Sequence, residues 1–263
     1  MNVTELKDIC RQNSIKGYSK LKKLELIKLI EENNIDTDNY VSSEEVIEQA
    51  AKQNRKQGRK GDIIVDKLCG RFSSKSTPIL ASYMSINVTS GNRKWGPGLS
   101  PMLLGPVKNN TEVDYNGDLL PDALIFENYY QSLKVYEIDV DKDGNILESY
   151  FDRKSKLFES EKGIRRPVKN SKCLYSYYNI EKLDYITARK KIYCPLYSKL
   201  VKHTDEYKEL KRLHNEGYNL LLLDYDGYRF DDIATAIEDT TRPFGHGHVL
   251  YALLTNNTHI WDI

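Results

Sequence analysis

The chain has 263 residues, 40% of them hydrophobic and 29% charged, and its 39 lysines and arginines nearly balance its 38 aspartates and glutamates, leaving a net charge of +1. That length accommodates a small module plus a medium domain, and the charge balance excludes a whole-molecule attraction for polyanions, so nucleic-acid contact has to come from a local patch. Four scattered cysteines without a C-x-x-C pair argue against a zinc site and a disulfide scaffold. The lack of both an apolar leader and a run of about 18 apolar residues predicts an intracellular protein that neither spans a membrane nor is secreted. The abundance of Asn, Ile, Lys and Tyr fits an AT-rich genome, as in large DNA viruses or parasites.

At the N-terminus, Thr4 is placed to cap a helix over 5–13 in which Leu6, Ile9 and Cys10 share one face. Asn13-Ser14 ends it, Ile15 stands alone in an extended link, and Gly17 permits a turn. Ser19 is then placed to cap a second helix over 20–33 that carries Leu21, Leu24, Leu26 or Ile27, and Ile30 inward. Two such helices make little core, so Ile15 is expected to plug the gap between them. Free N–H groups at the start of the second helix, with Lys16, Lys20, Lys22 and Lys23 nearby, attract phosphate. The alternative is that these lysines only solvate a helix face. Leu6-Lys7 followed by Gly17-Tyr18-Ser19-Lys20-Leu21-Lys22-Lys23-Leu24-Glu25-Leu26-Ile27 resembles the SAP motif, a helix-extension-helix module that binds DNA. The resemblance implies that Lys16, Gly17, Ser19, Lys20, Lys22 and Lys23 lie against the DNA backbone. Such a contact binds weakly, reads little sequence and acts as a tether.

The predicted organisation is a SAP module over 1–36, a charged helical linker over 37–60 and a larger domain over 61–263. The linker helix starts at Ser42-Ser43-Glu44-Glu45 and ends in a basic run over 52–60 that either extends the DNA footprint or complements the helix terminus. Beyond Gly61, strands and helices mix without the glycine fingerprint of a βαβ nucleotide fold, so the fold class is α+β, a small helical module followed by a larger mixed α/β domain. Strands are predicted at 63–65 and 80–88, a rigid loop at 95–101, a helix at 123–135 and a hairpin turn at 141–145. A helix at 183–204 interrupted at Pro195, another at 205–216 and a buried strand at 220–223 follow. Asp139-x-Asp141-x-Asp143-Gly144 matches the start of a calcium loop, but Tyr150 stands where the closing glutamate belongs, so a plain turn is preferred.

In the helix at 123–135, Glu127, Gln131 and Lys134 fall on one face, aligning a carboxylate, an amide and an ammonium, although the same spacing is common on solvated surfaces. Together with Trp95-Gly96, Ser100-Pro101, Gly105-Pro106 and the stretch from Ala188-Arg189 to Tyr197, this helix resembles the NADAR superfamily. The stretch Leu183-Asp184-Tyr185-Ile186 with Ala188-Arg189 also resembles uncharacterised phage and bacterial proteins. The C-terminal Trp-Gly element of NADAR is absent, and Arg242-Pro243-Phe244-Gly245-His246-Gly247-His248 stands in its place. The resemblance implies an N-glycosidase acting on modified or ADP-ribosylated bases or nucleotides. Glu127 then stabilises positive charge on the sugar or activates water, while Lys134 and His246 complete the catalytic set. Trp95, Gln131, Arg189, Arg242 and His248 are the expected ligand contacts, by stacking or by holding phosphate. His246 and His248 with Asp224 or Asp226 lack a defined third metal ligand, so no metal and no cofactor are expected. The expected partners are DNA and a nucleotide or ADP-ribose-like ligand, with no membrane, in the nucleus or cytoplasm of a virus-infected host. The competing class is a non-catalytic DNA-binding, packaging or interaction protein. Convergence of Trp95, Glu127, Lys134 and His246 on one cleft would separate the two.

Overall fold

The computed structural model describes residues 1–37, 40–70 and 73–262. In chain order, helices α1 (Val3–Gln12), α2 (Lys23–Glu32) and α3 (Ser43–Lys56) precede strands β1 (Ile63–Lys67) and β2 (Met84–Asn87). Short helices α4 (Gly96–Leu99) and α5 (Phe126–Ser132) lead to β3 (Lys134–Tyr136), α6 (Glu148–Glu159), β4 (Cys173–Tyr178) and β5 (Glu181–Leu183). A helical run then comprises α7 (Tyr185–Ala188), a π-helical turn (Arg189–Tyr193) and α8 (Cys194–Val201). After it come α9 (Asp205–Asn215), β6 (Leu220–Asp224), α10 (Ile233–Glu238) and α11 (His246–Leu254). The fold class is α+β, and among the described residues no helix is long and apolar enough to cross a membrane.

Two compact units result, one of Met1–Ile63, Thr77–Ser85 and Arg212–Leu221, the other of Ile64–Ser76, Ile86–Lys211 and Leu222–Ile263. In the first, Leu6, Ile9 and Cys10 of α1 pack with Leu26 and Ile30 of α2, and Ile15 lies against this cluster. Asn2, not Thr4, caps α1: its side chain accepts the Glu5 N–H at 3.0 Å, and Glu5 returns the bond to the Asn2 N–H at 2.7 Å. The second helix begins at Lys23 instead of just after Ser19, because a 3-10 turn over Tyr18–Lys20 and an extended Leu21 intervene. That delay resets the helical phase: Leu26 and Ile30 face inward, and Leu24, expected inside, is 81% exposed.

The expected linker helix is packed within this same unit. Ala51 of α3 is fully buried, Asn54 donates to Gly217 O at 2.8 Å, and the Tyr218 hydroxyl donates to Glu48 at 2.5 Å. This unit draws on three separate stretches of chain. Buried Asp8 joins α1 to the start of α3. It accepts the Ser43 N–H, the Ser43 hydroxyl and the Tyr40 hydroxyl, each at 2.8 Å, and also bonds to Arg11. Burial pushes the Asp8 carboxyl up, but these hydrogen bonds outweigh it and bring it down to about 2.

Strand β6 lies between β1 and β2. Leu220 donates to Asp62 O and Leu68 to Asp224 O, each at 2.8 Å, while Met84 donates to Asn219 O at 2.9 Å and Val88 to Leu223 O at 3.2 Å. The bonds ascend along both members of each pair, so β1 and β2 run parallel to β6. A central parallel strand is buried on both faces, which accounts for the unbroken run of four leucines at 220–223. A second sheet, in the order β3-β4-β5, is antiparallel, with Lys134 opposite Ser176 and Ser176 opposite Leu183.

Three sequence expectations change in the second unit. The helix predicted over 123–135 ends at Ser132, because Lys134 to Tyr136 are taken into strand pairing with β4. The helix predicted to break at Pro195 instead widens just before it: Pro195 has no N–H to return to Lys191 and crowds that carbonyl, and the chain adopts the π-helical turn. Leu183 itself belongs to β5. The preference for a turn at 141–145 agrees with the structure, where Asp141 accepts the N–H groups of Asp143 and Asn145 at 2.9 and 2.8 Å and Gly144 takes φ 83°. The unit is packed by tyrosine: Tyr193 lies 4.9 Å from Tyr130 and 5.4 Å from Phe126, measured between ring centroids. A buried ion pair, Lys154 to Glu112 at 2.5 Å, braces α6 against the loop between α4 and α5.

Candidate functional site

A cavity of about 400 Å³ opens in the second unit. Its floor lies at the carboxyl ends of two parallel strands, where Thr89 and Ser90 follow β2, and Asp224, Tyr225 and Asp226 close β6; in open sheets with parallel strands, ligand sites form at such ends. Helix α5 contributes Glu127, Tyr130 and Gln131, and the first residue of β3 contributes Lys134. The π-helical turn supplies Arg189 and Tyr193, the start of α11 supplies His246, and the loop after α6 supplies Arg165.

Glu127 is 7% exposed and accepts a hydrogen bond from Gln131 Nε2 at 2.8 Å, the one-turn spacing that α5 provides. Burial pushes its carboxyl above the usual range, against the Gln131 hydrogen bond and the fields of Lys134, Arg165 and His246. Lys134 is half-buried, and burial pushes its ammonium down while the charge of Glu127 pulls it back up. The Lys134 Nζ lies 4.9 Å from the Tyr130 ring centroid, and among the described residues it has no hydrogen-bond or ion-pair partner. A cation held over an aromatic face and left without an anion is suited to meeting a phosphate or carboxylate of a ligand.

His246 and Arg189 are committed elsewhere. His246 Nε2 lies 3.0 Å from Val88 O, an oxygen that can only accept. Nδ1 lies 3.1 Å from Asp224 Oδ2, which also accepts the Gly247 N–H at 3.1 Å. The Arg189 guanidinium donates to three carbonyls, those of Ile237 at 2.5 Å, Asp239 at 3.2 Å and Arg242 at 3.2 Å. Both side chains line the cavity while framing the loops around it. Arg165 donates to both carboxylate oxygens of Asp226, at 2.6 and 2.5 Å.

Of the expected site residues, Glu127, Gln131, Lys134, Arg189 and His246 therefore meet in one cavity; Trp95, Arg242 and His248 do not line it. Trp95 is 5% exposed and stands just before α4, packed as core. Arg242 points to another surface, 5.1 Å from the Tyr228 ring and 4.0 Å from Asp239. His248 is fully buried among Tyr228, Phe230 and Phe244, with ring centroids 4.4 to 5.4 Å away; among the described residues neither nitrogen has a hydrogen bond of ordinary geometry, and burial brings it down to about 4. A neutral ring in an aromatic box does not hold phosphate. Gly245 and Gly247 make room for Asp224: a Cβ on Gly245 would stand 2.4 Å from Asp224 Oδ2. Asp226, Arg165, Tyr185 and Tyr225 were not anticipated as cavity residues. The signal for Asp226 and Tyr225 was their place just past an apolar run, which reads as a site once that strand is known to be parallel. The six expected DNA contacts, Lys16, Gly17, Ser19, Lys20, Lys22 and Lys23, are all exposed on the first unit, with Gly17 at φ 80°.

The profile of a family of unknown function, DUF6939, matches residues 86–250, more than half of the chain. The chain belongs to this family. No curated protein and no solved structure matches it. Every residue lining the cavity lies inside the DUF6939 stretch, whereas α1, α2 and α3 lie outside it. The cavity is thus a feature of the DUF6939 region, and the exposed lysine turn is a feature of the chain that precedes it.

Proposed function

We propose that the DUF6939 region is an N-glycosidase acting on modified or ADP-ribosylated bases or nucleotides, held on DNA by the SAP-like helical pair. The supporting observation is the meeting of Glu127, Gln131 and the unpartnered Lys134 in one cavity of about 400 Å³. Cleavage of a bond between a base nitrogen and ribose builds positive charge on the sugar. A buried carboxylate oriented by Gln131 offers negative charge where water is scarce, so it can stabilise that charge or take a proton from attacking water. Lys134 neutralises an adjacent phosphate, and its field favours the ionised form of Glu127. Because both nitrogens of His246 are engaged, its role in this reading is to hold the Asp224 corner. The likeness of the α5 residues to NADAR supports the same reaction class. Such an enzyme works wherever that DNA lies, in the nucleus or cytoplasm of an infected host.

One observation favours the alternative of a non-catalytic DNA-binding or packaging protein: His246, Arg189 and Arg165 already spend their donors inside the protein. The deciding experiment is a glycohydrolase screen of the full chain on ADP-ribosylated DNA and free ADP-ribosyl compounds. Release of base or ADP-ribose is expected, with a loss of about a hundredfold or more in Glu127→Gln. No release from any substrate would leave the non-catalytic reading.

A further inference from the structure

The cavity has an aromatic rim as well as charges. Tyr130, Tyr193 and Phe244 are buried in its wall, but Tyr185 and Tyr225 are 46% and 43% exposed at its lining. Large rings left in water at the edge of a cavity cost hydration free energy in the empty protein and are repaid when a flat ligand covers them.

The Tyr185 ring is supported from behind, and Tyr225 is fixed through its backbone and its neighbours in sequence. Tyr185 is the first residue of α7, whose N-terminus is capped by Asp184 accepting the Thr187 N–H at 2.8 Å. The Arg189 guanidinium lies 4.5 Å from the Tyr185 ring centroid and is itself fixed by its three carbonyl partners, so part of the ring rests on a rigid support and the rest stays exposed. Tyr225 sits between Asp224, pinned by the Gly247 N–H, and Asp226, pinned by Arg165; its carbonyl accepts a bond from Lys67. Ordering such rings on binding costs little conformational entropy, since their backbone and neighbours are already set.

We infer that Tyr185 and Tyr225 form a stacking rim for the base of a nucleotide whose phosphate is met by Lys134. This deepens the proposed function by naming two residues that take the base, and it rests on reading the cavity as a nucleotide site. The chemistry selects the class: exposed aromatic faces take any base by stacking, the unpartnered ammonium takes a phosphate, and a nucleotide carries both. The volume of about 400 Å³ falls within the roughly 300–1,000 Å³ of small-molecule sites.

The test is calorimetric titration of the full chain with AMP, and with ribose 5-phosphate as a probe that keeps the phosphate and lacks the base. AMP is expected to bind, and Tyr185→Ala and Tyr225→Ala should each weaken it about tenfold, the usual loss when one stacking ring is removed. Tyr185→Phe should bind AMP as the native chain does. Ribose 5-phosphate should bind more weakly than AMP, be insensitive to the tyrosine changes and be lost in Lys134→Ala. Tyrosine variants that are folded by circular dichroism yet bind AMP at full strength would overturn the inference, as would ribose 5-phosphate binding as tightly as AMP, or no AMP binding at millimolar concentration. Neither titration requires a bond to be cut: AMP binding without hydrolysis in the glycohydrolase screen sinks the enzyme reading and leaves the rim, whereas hydrolysis unaffected by the tyrosine changes does the reverse.

Discussion

Asp8 offers a sharp test of how the lysine-bearing helices are attached to the remainder of the first unit. Its carboxylate lies at the N-terminus of α3, where the helix dipole favours negative charge, and it accepts three bonds at 2.8 Å from Ser43 and Tyr40. A shift from an ordinary aspartate value of 3.8 to about 2 is worth about 2 kcal/mol at 1.36 kcal/mol per pH unit. Because the folded value lies below the unfolded one, this stabilisation is present at neutral pH and declines as pH falls from about 4 to about 2, with about half of it gone by pH 3. Asp8→Asn keeps the shape and removes the charge. Amide hydrogen exchange of peptides covering α1 and the start of α3 reads local opening, and about 2 kcal/mol corresponds to roughly thirtyfold faster exchange at pH 7. The difference between variant and native chain should narrow at pH 3. Exchange within twofold of native at pH 7, or a difference that does not depend on pH, would refute the role given to this carboxylate.

Two further outcomes follow from the geometry. Lys20→Glu combined with Lys23→Glu should weaken binding to duplex DNA at low salt and flatten its salt dependence without loss of helix content, since both side chains are exposed; equal affinity in a filter-binding or anisotropy assay counts against the SAP-like tether. Gly245→Ala should lower stability by about 1–3 kcal/mol in urea unfolding, since its Cβ would meet Asp224 Oδ2 at 2.4 Å, while Gly247→Ala, with nothing nearer than 3.2 Å, should cost less; a fully stable Gly245→Ala would contradict the tight Asp224 corner.

Local pattern and final structure agree where the residues involved are neighbours in sequence. The apolar spacing of Leu6, Ile9 and Cys10, the strand at 220–223 and the turn organised by Asp141 were all legible, because periodicity and turn chemistry act over a few residues. What was hidden depends on partners far along the chain. The end of α5 at Ser132 is decided by strand pairing with residues some forty positions later, and the place of α3 by contacts with Gly217 and Tyr218. Trp95 illustrates the same limit: a tryptophan beside Gly96 and Pro97 reads equally well as a stacking surface or as core, and only packing decides. Tyr185 and Tyr225 gave no sign of their exposure, since tyrosine is common throughout this chain.

The cavity residues divide according to whether their hydrogen-bonding capacity is already met. Arg189 satisfies three carbonyls, His246 bridges Val88 and Asp224, and Arg165 closes on Asp226, so each acts on a ligand only by giving up a bond inside the protein. Among the described residues Lys134 has no such bond to lose, and Glu127 accepts one from Gln131 and keeps lone pairs to spare. A buried carboxylate and a half-buried ammonium are costly to keep with unmet capacity, by a few kcal/mol for each group. Folding alone would be served better by apolar side chains at positions 127 and 134. The groups with unmet capacity are therefore those on which a ligand has most to gain, and the residues around them, from Gly245 to Asp224 and from Arg189 to Tyr185, form the fixed frame that holds their separation while the ligand is absent.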